Sequence, residues 1–309
     1  MTRADKYEHL KKLIQAFSEP CRGTVCHYTS ADGISGIIDK HEIWMSNTAF
    51  MNDTTELKAL EKATGIKGSD FTNAAVKEAW RSRNTWAEMN NYYMASFSEK
   101  GDSLEQWRAY GNFCIGFDAP KLIKRRISLY ECLYTEDAIR EWILAKEKIP
   151  EWDSLPDDEA QRNNAAYNLI YVASMKCKDS HFSAEKEIRL VAISCHNWWF
   201  PNSPFMYEDD LPIHFRPHRS CGFVPYLKFF IERKGNNRPQ GTKETETQMK
   251  ERKLKEEAAK QRELLPIKEV IVGPMAYQRE AKTACEILLS ERGYKDVSVT
   301  VSDIPYRGI

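Results

Sequence analysis

Three short stretches hold side chains able to do chemistry. His27-Tyr28-Thr29-Ser30 stands where an apolar run gives way to a helical pattern. Ser96-Phe97-Ser98-Glu99 ends a second apolar run and is followed by Trp107 and Tyr110. Glu185-Lys186-Glu187 opens a third. An imidazole holds a hydroxyl or an anion, serine hydroxyls anchor an amide, and a carboxylate stabilises positive charge developing on a substrate. Tyr28 or Trp107 would offer an aromatic face for stacking. Each stretch also has a plain structural account. Ser30 and Thr29 are ordinary helix caps, strand-end serines make turns, and glutamates two residues apart commonly form a solvated pair.

Other chemistries have weaker signals. Asn52-Asp53-x-x-Glu56 offers oxygen ligands for Mg²⁺ or Ca²⁺, but the same spacing suits an Asx turn capping a helix near Thr55, which we favour. His214-Phe-Arg-Pro-His218-Arg-Ser-Cys221, with Cys195-His196 upstream, brings nitrogen and sulfur together in the sequence. Pro217 breaks any helix that would align the two histidines, and no standard zinc spacing is present, so no metal is expected. A nucleophile elbow, a Rossmann glycine fingerprint and a P-loop are all missing.

These groups need a scaffold. The pattern predicts a strand at VCHY, a helix over Ala31–Lys40 capped by Ser30, and a strand over Glu42–Ser46. Helices follow near Thr55–Ala63 and Phe71–Met89. NYYMASFS, NFCIGFD and ISLYECLY read as strands around a short helix at SLEQWRAY, and Thr135–Lys148 and Asp157–Lys178 as helices. KEIRLVAIS alternates, placing Glu185, Glu187, Arg189, Val191 and Ile193 on one face. Arg189 and Arg307 are expected to pair with the carboxylates of Asp53 and Glu56. Near the end come the strand IKEVIVG, a helix with Ala281, Ala284, Cys285, Leu288 and Leu289 on one face, and the strand VSVTVS. Short, unevenly spaced strands with helices grouped between them argue for α+β, with mixed, mostly antiparallel sheets and helices packed around them.

The organisation is an N-terminal helix over residues 1–19 and a single α+β domain over 20–309. Residues 232–262 form a charged, partly flexible excursion within it, almost without large apolar side chains. With 45 basic and 45 acidic residues, no global field draws the chain to nucleic acid or an anionic membrane. Hydrophobic residues at 42% exclude wholesale disorder. The N-terminus lacks a signal-peptide core and no apolar run spans a bilayer. Eight scattered cysteines without a C-x-x-C pair read as reduced thiols in a cytoplasmic protein. Trp198, Trp199 and Phe200 suit either a contact surface or burial on the sheet.

A strand-end His, a serine strand and a Glu-x-Glu, in that order, resemble the three-part signature of the ADP-ribosyltransferase superfamily. Here the serine strand reads Ser-Phe-Ser where the family has Ser-Thr-Ser, and Asp32 sits in the first turn of the helix after His27. The resemblance implies a cleft that takes NAD as substrate. His27 would hold the ribose or pyrophosphate, with Tyr28, Thr29 and Trp107 beside it. Ser96 and Ser98 would anchor the carboxamide, Glu187 would stabilise the ribosyl cation, and Glu185 would orient an acceptor of protein or nucleic acid. HYTS…IIDKHEIWMSN…FMNDTTEL, ASFSEKGDSLEQWRAYG, SAEKEIRLV and a C-terminal IPYR also resemble a bacterial domain-of-unknown-function family, number 2971. Thr54 stands where that pattern has proline. The resemblance implies a setting among phage-defence genes.

The expected function is therefore NAD-dependent ADP-ribosyl transfer or NAD hydrolysis by an anti-phage effector or toxin. Two alternatives stand beside it. One is a metal-assisted hydrolase or nuclease using Asp53, Glu56 and one of Glu185 or Glu187. The other is a non-enzymatic sensor that meets a protein partner through residues 232–262.

Overall fold

The computed structural model describes residues 12–13, 16–17, 21–50, 60, 65–89, 91–124, 127–155, 158–194, 212–218, 221–232 and 262–305. The strands are β1 (Thr24–Thr29), β2 (Ile43–Asn47), β3 (Asn91–Ser98), β4 (Phe113–Asp118), β5 (Ile127–Glu131) and β6 (Glu187–Ser194), followed by β7 (His214–His218), β8 (Gly222–Phe229), β9 (Ile231–Glu232), β10 (Arg262–Glu263), β11 (Ile267–Val272) and β12 (Ser298–Val301). The helices are α1 (Ala31–Lys40), α2 (Ala74–Met89), α3 (Leu104–Tyr110), α4 (Ala119–Leu122), α5 (Glu136–Lys146), α6 (Glu159–Lys176) and α7 (Gln278–Glu291). The fold is α+β. Its main sheet runs β12-β11-β4-β1-β3-β2-β8-β7, with β6 on β3 and β5 on β6. The pairings are antiparallel except β11 with β12, which α7 joins as a crossover.

Strand β3 organises the centre. One edge pairs along its whole length with β6, from Asn91↔Ser194 to Ser98↔Glu187. The other edge is shared: Tyr93 and Met94 pair with β2, and Ser98 pairs with Cys26 of β1. Over Ala95–Phe97, between those pairings, β1 and β2 diverge and the register gives β3 no strand partner on that edge.

Two cores cover the sheet. On one face Val25, Phe97, Ile115, Leu190 and Val270 pack against Ile34, Ile37 and Ile38 of α1 and Cys285 and Leu289 of α7. On the other, Met94, Tyr130 and Val191 meet Trp80 of α2, Trp142 and Ile143 of α5, and Leu169 and Ala173 of α6. Leu13 and Phe17, helical and fully buried, join this second core. Burying side chains of this size contributes about 1.5–3 kcal/mol each.

Local chemistry explains the element boundaries. Ser30 caps α1 by accepting from the Gly33 amide at 3.2 Å. Gly33 and Gly111 are both required beside Thr29. A Cβ on Gly33 would fall 1.8 Å from Thr29 Oγ1, and one on Gly111, at φ +118°, 2.6 Å from the Thr29 carbonyl.

Several expectations are corrected. Glu185 does not lie on the strand; it ends a 3-10 turn over Ser180–Glu185, and Lys186 follows in the left-handed region at φ 46°. The strand therefore begins at Glu187. The sequence ISLYECLY keeps its strand only to Glu131. Ala284 faces solvent, and Cys285 and Leu289 carry the buried face of α7. The β7–β8 hairpin was not expected, because Pro217 and Pro225 interrupt its pattern. An edge strand tolerates a missing N–H, and β7 is the edge. The helix expected at Thr55–Ala63 lies outside the described residues apart from helical Leu60. Glu232 and Arg262, the ends of the charged segment, pair as β9 and β10; residues 233–261 lie outside the described set. Among the described residues no helix is long and apolar enough to cross a membrane, and no disulfide links the seven described cysteines.

Candidate functional site

Glu187 opens β6 opposite Ser98, so pleating puts Ser96, Ser98, Glu187 and Arg189 on one face of the sheet. Arg189 is fully buried. It donates from Nη1 to the carbonyls of Met175, at 2.8 Å, and Cys177, at 3.2 Å, which caps the C-terminus of α6. Its Nε and Nη2 both donate to Glu187 Oε2, at 3.2 and 3.1 Å. Lys178, just beyond α6, reaches the same oxygen at 2.6 Å and Glu185 Oε2 at 2.6 Å. Burial alone would raise the Glu187 carboxyl. Arg189 and Lys178 outweigh it, with help from the nearby Ser96 hydroxyl, and hold it at about 2. Burial would conversely lower Lys178, yet the two carboxylates push it above its ordinary value.

The two glutamates have different surroundings. The Glu187 side chain is 5% exposed and clamped by two cations. Glu185 is 16% exposed, and its second oxygen accepts from the Tyr110 hydroxyl at 3.2 Å. Ser98 ties this loop down, donating to the Glu185 carbonyl at 2.6 Å while accepting from the Lys100 amide at 3.1 Å. Gln106 Nε2 adds a bond to the same carbonyl at 3.3 Å. Sequence reasoning missed Lys178 and Gln106 as site residues; Tyr110, which follows the serine strand, joins them at Glu185.

His27 stands apart. The register Cys26↔Ser98 places Cys26 and Tyr28 on the face of Ser96 and Ser98, so His27 points to the opposite face. Its ring lies 5.4 Å from that of Phe97. The expectation of one hollow lined by His27, Ser96 and Glu187 side chains is corrected by this pleat. What links them is Ser96 itself. Its carbonyl accepts from His27 Nδ1 at 2.9 Å, and its side chain stands on the same sheet face as Glu187. A carbonyl only accepts, so Nδ1 carries the proton. Burial pushes the imidazole below its usual pKa, which leaves neutral His27 with Nε2 as an acceptor.

Tyr28 and Trp107 are both buried, packed edge to face at 4.6 Å. Trp107 Nε1 donates to Asp102 at 2.7 Å, and a Cβ on Gly273 would meet its ring at 2.7 Å. Neither ring face is open for stacking. Thr29 serves as the contact surface for Gly33 and Gly111. Asn52, Asp53, Glu56, Cys195, His196, Trp198, Trp199, Phe200 and Arg307 lie outside the described residues. His214 and His218 are four residues apart on β7, about 13 Å on an extended strand. Cys221 Sγ is 3.1 Å from His218 Nδ1, but among the described residues no three metal-binding side chains gather.

No family model matches the chain, and no curated protein or solved structure matches it either. The two resemblances rest on their quoted motifs.

Proposed function

We propose that the chain consumes NAD, as an ADP-ribosyltransferase or NAD glycohydrolase acting as an anti-phage effector or toxin in the cytoplasm. One observation carries this reading: three segments far apart in the sequence meet at Ser96, which bonds His27 through its carbonyl and shares a sheet face with Glu187. The roles follow from burial and charge. Glu185 is the reachable carboxylate and would stabilise positive charge on the ribose as the nicotinamide bond breaks. Glu187, Lys178 and Arg189 are positioning groups that fix Glu185. Neutral His27 would accept from a ribose hydroxyl through Nε2, a role that a pyrophosphate oxygen, itself an acceptor, does not fit.

The test is to incubate purified protein with NAD and follow nicotinamide. Release with free ADP-ribose identifies a glycohydrolase; release with ADP-ribose bound to protein or nucleic acid identifies a transferase. Absence of release under both conditions rejects the reading. A second reading, a non-enzymatic interaction module, is favoured by Phe215 and Phe223. Both are exposed on the terminal hairpin, in register with Pro225 and Pro217 respectively.

A further inference from the structure

The face of β2, β8 and β7 opposite Leu227 and Phe229 carries a different chemistry. The registers Ser46↔Tyr226, Trp44↔Lys228 and His214↔Tyr226 place these side chains on one surface, with Arg216 next along β7. Three rings form a row: Trp44 is 4.5 Å from Tyr226, and Tyr226 is 5.5 Å from His214, each pair tilted by 35°. Trp44 is 37% exposed. Cations surround the row. Lys40 lies 5.5 Å from the Trp44 ring centre. Lys228 and Arg262 both contact Glu42, which is almost fully buried beneath them. Arg216 donates to Ser46 Oγ at 3.0 Å, and its buried Nε has no hydrogen-bond partner.

We propose that this surface binds single-stranded nucleic acid, with a base on Trp44 and phosphates on Arg216, Lys228, Arg262 and Lys40. Charge complementarity selects the partner. Among the described residues four cations face one carboxylate here, in a chain that has 45 basic and 45 acidic residues in all. His214 senses that field: burial comes first, then Lys228 and Arg262, in holding it below its ordinary pKa, with Glu42 opposing. An exposed Trp44 ring, backed by the buried Tyr226 and flanked by cations, fits a base and phosphates of an unpaired strand, since duplex bases offer no free ring face. The proposal stands independently of NAD cleavage.

The experiment is fluorescence anisotropy of the intact chain with labelled oligo-dT and oligo-U of about 20 nucleotides, titrated at several salt concentrations. Binding should weaken with salt, with a log–log slope of about −2 to −3 for three or four neutralised phosphates. Trp44→Leu should weaken binding about 10-fold, one stacked base being lost. Arg216→Gln should reduce the slope by about 0.7 at an unchanged melting temperature. Circular dichroism checks the folding of both variants, and if Trp44→Leu misfolds, the Arg216→Gln slope decides. No binding at about 50 mM salt overturns the proposal. So does binding that neither variant alters, or equal competition by duplex DNA or polyglutamate.

Discussion

Lys178 Nζ lies 2.6 Å from Glu187 Oε2, and both side chains are nearly withdrawn from water. A buried cation on a buried carboxylate is costly to break from either side, because the remaining charge has no solvent to turn to. Lys178→Met leaves Glu187 with the Arg189 guanidinium and removes the cation from Glu185, which keeps the Tyr110 hydroxyl. Urea unfolding should show a loss of about 3 kcal/mol. A loss below about 0.5 kcal/mol, the range of a surface pair, would contradict the clamp.

Acid should undo the same clamp within a defined window. Glu187 is held at about 2, below its ordinary 4.5, so its contribution to stability is fully present above pH 4.5. It is lost as pH falls through about 2. The integrated effect is about 3 kcal/mol. Glu187→Gln should flatten the stability profile over that window. An unchanged acid limb in the variant would show that Glu187 is not held ionised by its neighbours.

His27 makes a separate prediction. Its imidazole is neutral in the fold and resists protonation, because burial lowers its pKa. The unfolded chain takes up a proton near pH 6.5, so native stability declines as pH falls from there towards the lower folded value. His27→Gln should remove this component while keeping a donor to the Ser96 carbonyl. The imidazole ¹⁵N shifts should report an Nδ1–H tautomer at pH 7; an Nε2–H tautomer contradicts the Ser96 bond.

Ser98 is predicted to act through the backbone. Ser98→Ala removes the bond to the Glu185 carbonyl and the acceptor for the Lys100 amide. The expected cost is about 1–2 kcal/mol, with faster amide exchange at Lys100. Tyr110→Phe should cost little stability, since Tyr110 is exposed, and should release Glu185 Oε1.

Much of the fold was legible in local pattern. The Ser30 cap, the strand NYYMASFS and the apolar run NFCIGFD all correspond to elements in place. The site was less legible, for two physical reasons. Period-two reasoning carried Glu185 onto a strand that a left-handed Lys186 in fact terminates. The face of His27 depends on which residue of β1 opposes Ser98, and no property of either strand alone states that register. Burial of Trp107 was equally hidden, because it depends on the distant Gly273.

The central claim is that Glu185, rather than the buried Glu187, meets the substrate. The most direct measurement is the rate of nicotinamide release from NAD by the unmodified chain and by Glu185→Gln, with melting temperatures recorded on the same samples. The account predicts release by the unmodified chain and a fall of about 100-fold or more in Glu185→Gln at an unchanged melting temperature. No release by the unmodified chain, or full release by Glu185→Gln, contradicts it.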